Sequence, residues 1–346
     1  MIPSLTNSAL PIGWFPWSME PLSMSEILLS TDVLVYLLSE TVLGILLLIA
    51  FGVSVKILLH WDFQAFTPEQ FKLEQQSYLV NTITLFIFVM KFGLLLYFAY
   101  TIDALSILVP GAMCAAGVIT ANGYGQPLLV LKLGILFLLI LWFYLNHHDL
   151  QTKNYQWFKE KSALFVIIFL FIMLELWLDF AYFTHIDTHQ PVSCCSALFG
   201  QLEGANPLPF GLNIPMLLVL FYLLFLLTIL TLWSGQTLLY ILSNLLFVYV
   251  AYYAMVYFFG TYIYQLPTHK CPFCMLQKEY YYIGYLLWFS LFVGSFIGIN
   301  GAIISLWLGK VPSPKIQRWV MGLLGLFVAV ASLYVLIYYG RNGVWL

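Results

Sequence analysis

Long unbroken apolar runs, rather than a regular alternation of apolar and polar positions, dominate this chain. Eight stretches, at about 33–58, 78–102, 127–146, 162–183, 214–233, 237–260, 280–305 and 319–339, stay apolar for the length that crosses a bilayer. A helix needs about 20 such residues to span roughly 30 Å of hydrocarbon, whereas a barrel strand crosses in about 10. Backbone hydrogen bonds left open in lipid are costly, so runs this long and continuous must close them internally as helices. The pattern predicts an all-α polytopic membrane helix bundle of about eight transmembrane helices.

Composition strengthens that reading. Hydrophobic residues make up 62% of the chain and charged residues only 8%, and the mean hydropathy is +0.93. A globular domain carries about 25% charged residues, so this chain cannot coat a soluble surface and must face the lipid bilayer. The net charge of −2, with no basic cluster, argues against nucleic-acid binding. No phosphate-binding or dinucleotide-binding glycine loop follows a strand-like run, which argues against ATP hydrolysis and nicotinamide chemistry. The longest hydrophilic stretch, about 184–213, is too short for a soluble catalytic domain.

Charge placement then orients the bundle, because cytoplasmic loops collect Lys and Arg. Lys56, Lys72, Lys153, Lys159, Lys161, Lys310, Lys315 and Arg318 fall on one side. Lys132, Lys270, Lys278 and Arg341 fall on the other, with Lys91 inside a span. Both termini are therefore expected to be extracytoplasmic, in a bacterial inner (plasma) membrane. Residues 1–31 contain no Lys or Arg and so lack the basic start of a signal peptide. Trp14, Phe15 and Trp17 suit an interfacial anchor, and Ser23 with Glu26 has capping-box spacing. This segment reads as an extracytoplasmic interfacial lead-in. Residues 32–346 read as one eight-helix domain, with a weak four-plus-four division at 32–212 and 213–346.

With that topology all five cysteines lie in outer loops, where disulfides persist. Cys114 falls between spans two and three, Cys194 and Cys195 between four and five, and Cys271 and Cys274 before span seven. The segment His269-Lys270-Cys271-Pro272-Phe273-Cys274-Met275-Leu276-Gln277-Lys278 places a CxxC pair at the start of a Tyr-rich helix. A helix N-terminus and nearby lysines would stabilise thiolate there. A second group, His185, Asp187, His189, Cys194 and Cys195, sets five potential ligands within eleven residues. With His269, Cys271, Cys274 and Met275 it makes a soft nitrogen and sulfur set suited to copper or zinc.

The residues Cys271, Pro272, Cys274, Gln277 and Lys278 resemble the CPxCxxQR motif of DsbB-type disulfide-forming membrane oxidases. Vitamin K epoxide reductases also carry a CxxC at an outer helix start. The resemblance implies a redox pair, Cys271 and Cys274, that passes electrons to a quinone held by Lys278 and Gln277. It covers about ten residues, and those families are near four-helix size. Their second cysteine pair also differs from Cys194 and Cys195, which precede the CxxC and are adjacent. The leading expectation is a membrane thiol–disulfide oxidoreductase at the periplasmic face, with quinone as cofactor and a periplasmic thioredoxin-like partner. The alternative is a non-enzymatic factor that binds or delivers copper or another soft metal to an exported metalloprotein. A third is a structural subunit of a membrane complex.

Glu40, Lys91, Glu175 and Asp179 lie inside the apolar runs. Such residues are costly in lipid and face a partner or a cavity. At ~1.5 Å per residue, Lys91 and Glu175 sit at the same depth, and Glu40 at a similar one. A Lys91–Glu175 pair, with Glu40 joining, is expected. Asp179 lies one turn further out and is expected to point towards the His185 loop. The tyrosines between Tyr249 and Tyr285 would form either an interfacial belt or the wall of a quinone site.

Overall fold

Helix boundaries follow local chemistry wherever the chain supplies it. Thr67 caps α3 (Pro68–Leu105), its hydroxyl accepting from the Gln70 amide at 3.3 Å, with Pro68 in the first turn. Asn213 caps α7 (Ile214–Ser234) in the same way, and Gly235, at φ +72°, ends it in a left-handed turn. The remaining long helices are α2 (Thr31–His60), α5 (Gly125–Gln151), α6 (Phe158–Thr184), α8 (Thr237–Ala254), α10 (Ile283–Leu308) and α11 (Pro314–Asn342). Short helices are α1 (Met24–Leu29), α4 (Ala115–Ile119) and α9 (Gly260–Tyr264). A π turn at Met255–Phe259 joins α8 to α9. These elements come from a computed structural model that describes residues 24–62, 67–151, 157–188, 190–192, 208, 211–308 and 314–346. Trp14, Phe15, Trp17, Ser23, His189, Cys194 and Cys195 lie outside the described residues.

Eight of these helical segments are long and apolar enough to cross a membrane, with α8, the π turn and α9 counted as one. The described residues contain no strand. The protein is an all-α integral membrane bundle. Its spans bury polar groups and turn leucines outward. Thr84, Lys91, Lys132, Glu175 and Asn244 are buried, while Leu48, Leu170, Leu226 and Leu230 are more than half exposed. That inversion fits a lipid surround.

The buried apolar residues form two large cores. One joins α2, α3, α5 and α6, including Leu47, Phe88, Trp142 and Phe169. The other joins α7, α8, α10 and α11, including Phe221, Phe247, Leu291 and Phe327. Between the halves, α10 packs on α5. Tyr144 donates to the Ile297 carbonyl at 3.0 Å, and Asn300 donates to the Phe137 carbonyl at 3.0 Å. Phe273 touches both cores.

Two sequence expectations need correction. The span expected at 280–305 begins only at Ile283, because Tyr281 and Tyr282 adopt φ of 54° and 56°, a left-handed pair that breaks helical continuity. Lys132, counted with the charges of the outer side, is instead buried inside the bundle from α5, at 4% exposed. Its ammonium is tolerated there because carboxylates from α6 surround it.

Candidate functional site

One end of the bundle brings together cysteines from both halves. Cys114 caps the start of α4, and its sulfur lies 3.7 Å from that of Cys271. The Cys114, Cys271 and Cys274 sulfurs all lie within 4.8 Å of one another. Their residues are 0%, 1% and 7% exposed. Position 114 is 157 residues from position 271, so no local motif could have shown the contact.

Several tethers hold the two loops in register. The Asp103 carboxylate accepts from the Ala115 amide and from the Gln277 side-chain amide, both at 3.3 Å. Gln277 also donates to the Met113 carbonyl at 3.0 Å. Further back, the Val192 amide donates to the Pro110 carbonyl at 2.9 Å. A side chain on Gly111 would meet the Val192 carbonyl at 2.5 Å, and φ there is +80°. That crossing therefore requires glycine.

The CxxC backbone is pinned from below. Tyr264 donates to the Cys271 carbonyl, and its oxygen accepts from the Met275 amide at 3.1 Å. Trp288 donates to the Pro272 carbonyl at 3.1 Å. Cys274 opens a 3₁₀ turn, Cys274–Leu276, that packs on α10. Eight residues lie between Cys274 and the start of α10, so the pair is not in that helix's first turn as the sequence suggested. His269 stacks on Tyr264 with ring centroids 4.2 Å apart. Burial lowers the His269 imidazole below its usual value, opposed by nearby Cys114. Burial pushes the Tyr280 phenol up, and Cys274 adds to the rise.

Other expected contributors stand elsewhere. Gln277 is spent on the loop tethers, and Lys278 is exposed. Lys270 sits 4.9 Å above the Tyr257 ring. Tyr281 is 89% exposed. His185 folds back on its own helix, its Nδ1 2.8 Å from the Ala181 carbonyl oxygen, and Asp187 is exposed. Among the described residues, groups of three or more potential metal ligands are the cysteine cluster and Glu40, Glu175 and Asp179. Neither includes His185, Asp187 or His269.

The second group lies in the N-terminal core. Lys91 Nζ is 2.7 Å from Glu40 Oε2 and 2.6 Å from Glu175 Oε2. Lys132 Nζ is 2.7 Å from Glu175 Oε1 and 3.0 Å from Asp179 Oδ2. Lys132 also donates to the Tyr36 hydroxyl at 2.6 Å. That hydroxyl lies 3.1 Å from Asp179 Oδ2 and 3.2 Å from Glu40 Oε1. Asp179 thus turns inward to Lys132, and the expectation that it points to the His185 loop is corrected. Lys132 and Tyr36 complete a network that sequence reading had entered with four members.

No family model matches the chain, and comparison with curated proteins and with solved structures gives no match either.

Proposed function

We propose that the three-cysteine cluster binds a soft cation, Cu(I) or zinc. The protein would then act as a membrane factor that holds or passes on that metal, for use by an exported metalloprotein. The supporting observation is the meeting of Cys114 with the CxxC pair. A Zn–S bond of about 2.3 Å gives neighbouring sulfurs in a tetrahedral site a separation of about 3.8 Å. The Cys114–Cys271 separation of 3.7 Å matches that edge. Three thiolates leave a fourth position through which a metal can be received or handed on. Cys274, the most exposed of the three, is the natural point of exchange.

Thiol–disulfide exchange is the second reading, favoured by the same contact. Cys114 lies close enough to attack a Cys271–Cys274 disulfide. Forming one disulfide from two thiols releases two electrons and two protons, which a quinone or a partner's disulfide would accept. The positions of Gln277 and Lys278 give less support to quinone binding than the motif implied.

Metal analysis of the purified full-length protein, combined with Cu(I) and zinc competition against chelators of graded strength, tests the proposal. The expected result is one metal per chain, with affinity falling at least tenfold in Cys114→Ser. Binding releases protons, so affinity should rise with pH. An absence of metal binding, together with a mixed disulfide trapped in Cys271→Ser, would reject the metal reading in favour of the redox one.

A further inference from the structure

The buried network in the N-terminal half contains more carboxylates than cations. Glu40, Glu175 and Asp179 face Lys91 and Lys132, and each of the five is at most 5% exposed. Fully ionised, the group would carry one uncompensated negative charge in the hydrocarbon region. Charge burial on that scale is costly, and a buried carboxyl can avoid it by taking up a proton.

The hydrogen bonds point to one acceptor. Glu175 uses each oxygen on a different lysine. Glu40 receives Lys91 on both oxygens and also lies beside the Tyr36 hydroxyl. Asp179 is engaged only through Oδ2, by Lys132 and Tyr36. Its Oδ1 is buried and has no hydrogen-bond partner among the described residues, although the residue is 0% exposed. An ionised carboxylate oxygen left in that state loses its hydration and gains nothing.

We infer that this network is a proton-binding site, with one proton carried on the Asp179 carboxyl at neutral pH. The groups facing Asp179 are Tyr36 and Glu40 from α2, Lys91 from α3, Lys132 from α5, and Glu175 and Tyr182 from α6 itself. With that proton in place, two carboxylates balance two ammonium groups.

Aromatic side chains flank the site along the helices on both sides. On the inner side Phe88 packs edge-on to Trp142 at 5.0 Å and stacks near Phe165 at 6.1 Å. Beyond that layer lies a cavity of about 20 Å³, room for one water, lined by Ser54, Ser77, Asn81, Thr84 and Lys161. On the outer side Phe98, Tyr182 and Phe183 pack together with centroids 5.0–6.5 Å apart. A smaller cavity of about 10 Å³ lies against Lys91, Lys132 and Glu175 themselves. This inference rests on the N-terminal core alone and is independent of what the cysteines bind.

Infrared spectroscopy of the full-length protein in lipid tests it. At neutral pH a protonated-carboxyl carbonyl band is expected. It should shift when aspartate, but not glutamate, is labelled with ¹³C at the side-chain carboxyl. The band should be lost in Asp179→Asn, which imitates the neutral acid and should keep close to native thermal stability. In Asp179→Glu the band should become sensitive to glutamate labelling. Absence of the band, a shift on glutamate labelling of the unaltered protein, or survival of the aspartate band in Asp179→Asn would each overturn the inference. Should Asp179→Asn fail to fold, the labelled unaltered protein and Asp179→Glu still decide it.

Discussion

Lys132 and Cys114 show what a single residue's position in the sequence conceals. Lys132 lies seven residues into α5, close enough to the helix start to be counted with the outer loop charges. Only packing shows that its ammonium turns onto Glu175, Asp179 and Tyr36. The Lys91–Glu175 proximity, by contrast, could be read from depth, because equal distances into two parallel spans bring side chains level. The remaining partner matters for how that pair is tested. Glu175 keeps Lys132 when Lys91 is removed, whereas Glu40 has no other lysine within ion-pair distance among the described residues. Lys91→Met should therefore cost about 3–5 kcal/mol, because it strands buried carboxylate charge. Adding Glu40→Gln should recover part of that loss, giving a coupling of about 1 kcal/mol or more in a double-mutant cycle. Unfolding titrations of the four proteins in micelles supply the numbers, and strict additivity would show that Lys91 does not compensate Glu40.

At the scale of elements, long helices were legible because length and hydropathy alone define a span. All eight expected spans overlap an observed one. Their ends were less legible in the stretch that carries the chemistry. Between Tyr264 and Ile283 the chain uses two 3₁₀ turns and three non-glycine residues at positive φ: Gln265, Tyr281 and Tyr282. None of these residues advertises a left-handed conformation, so 280–282 read as the start of the seventh span. What holds the Cys274 turn in place is a close approach to α10. A Cβ on Gly284 would fall 2.5 Å from Met275 Cγ and 2.9 Å from the Met275 carbonyl carbon. Gly284→Ala should lift that turn and cost about 1–3 kcal/mol, the range for overpacking. The loss should be visible in thermal unfolding and accompanied by weaker metal binding at the cysteines. Met275→Ala added to it should restore part of the stability, but not all, because the backbone contact remains. Native stability and affinity in Gly284→Ala would show that the turn does not depend on this approach.

At the scale of the whole molecule, the buried apolar residues gather into two cores, one on α2, α3, α5 and α6 and one on α7, α8, α10 and α11, with Cys114 packed into the second. The cysteine cluster thus lies where the halves join. Its side of the membrane depends on the charge bias, which changes once burial is known. Lys132 leaves the outer count, and Lys161 leaves the inner one, since it is buried with Asp149 and Asn146. The balance becomes seven against three rather than eight against four, so its direction is unchanged. Eight crossings place Thr31, Leu105, Gly125, Thr184, Ile214, Tyr264, Ile283 and Asn342 at one end, so a single observation orients them all. The native sulfurs are too buried to report by reagent access, but Met113 is 62% exposed beside Cys114, and Trp319 is 69% exposed near the opposite end. In intact cells a membrane-impermeant maleimide should label Met113→Cys, whereas Trp319→Cys should react only after the membrane is opened. The reverse pattern would place the cysteine cluster in the reducing cytoplasm. Disulfide formation there would lose its environmental support, while a thiolate metal site would keep its chemistry and serve a protein on the inner side instead.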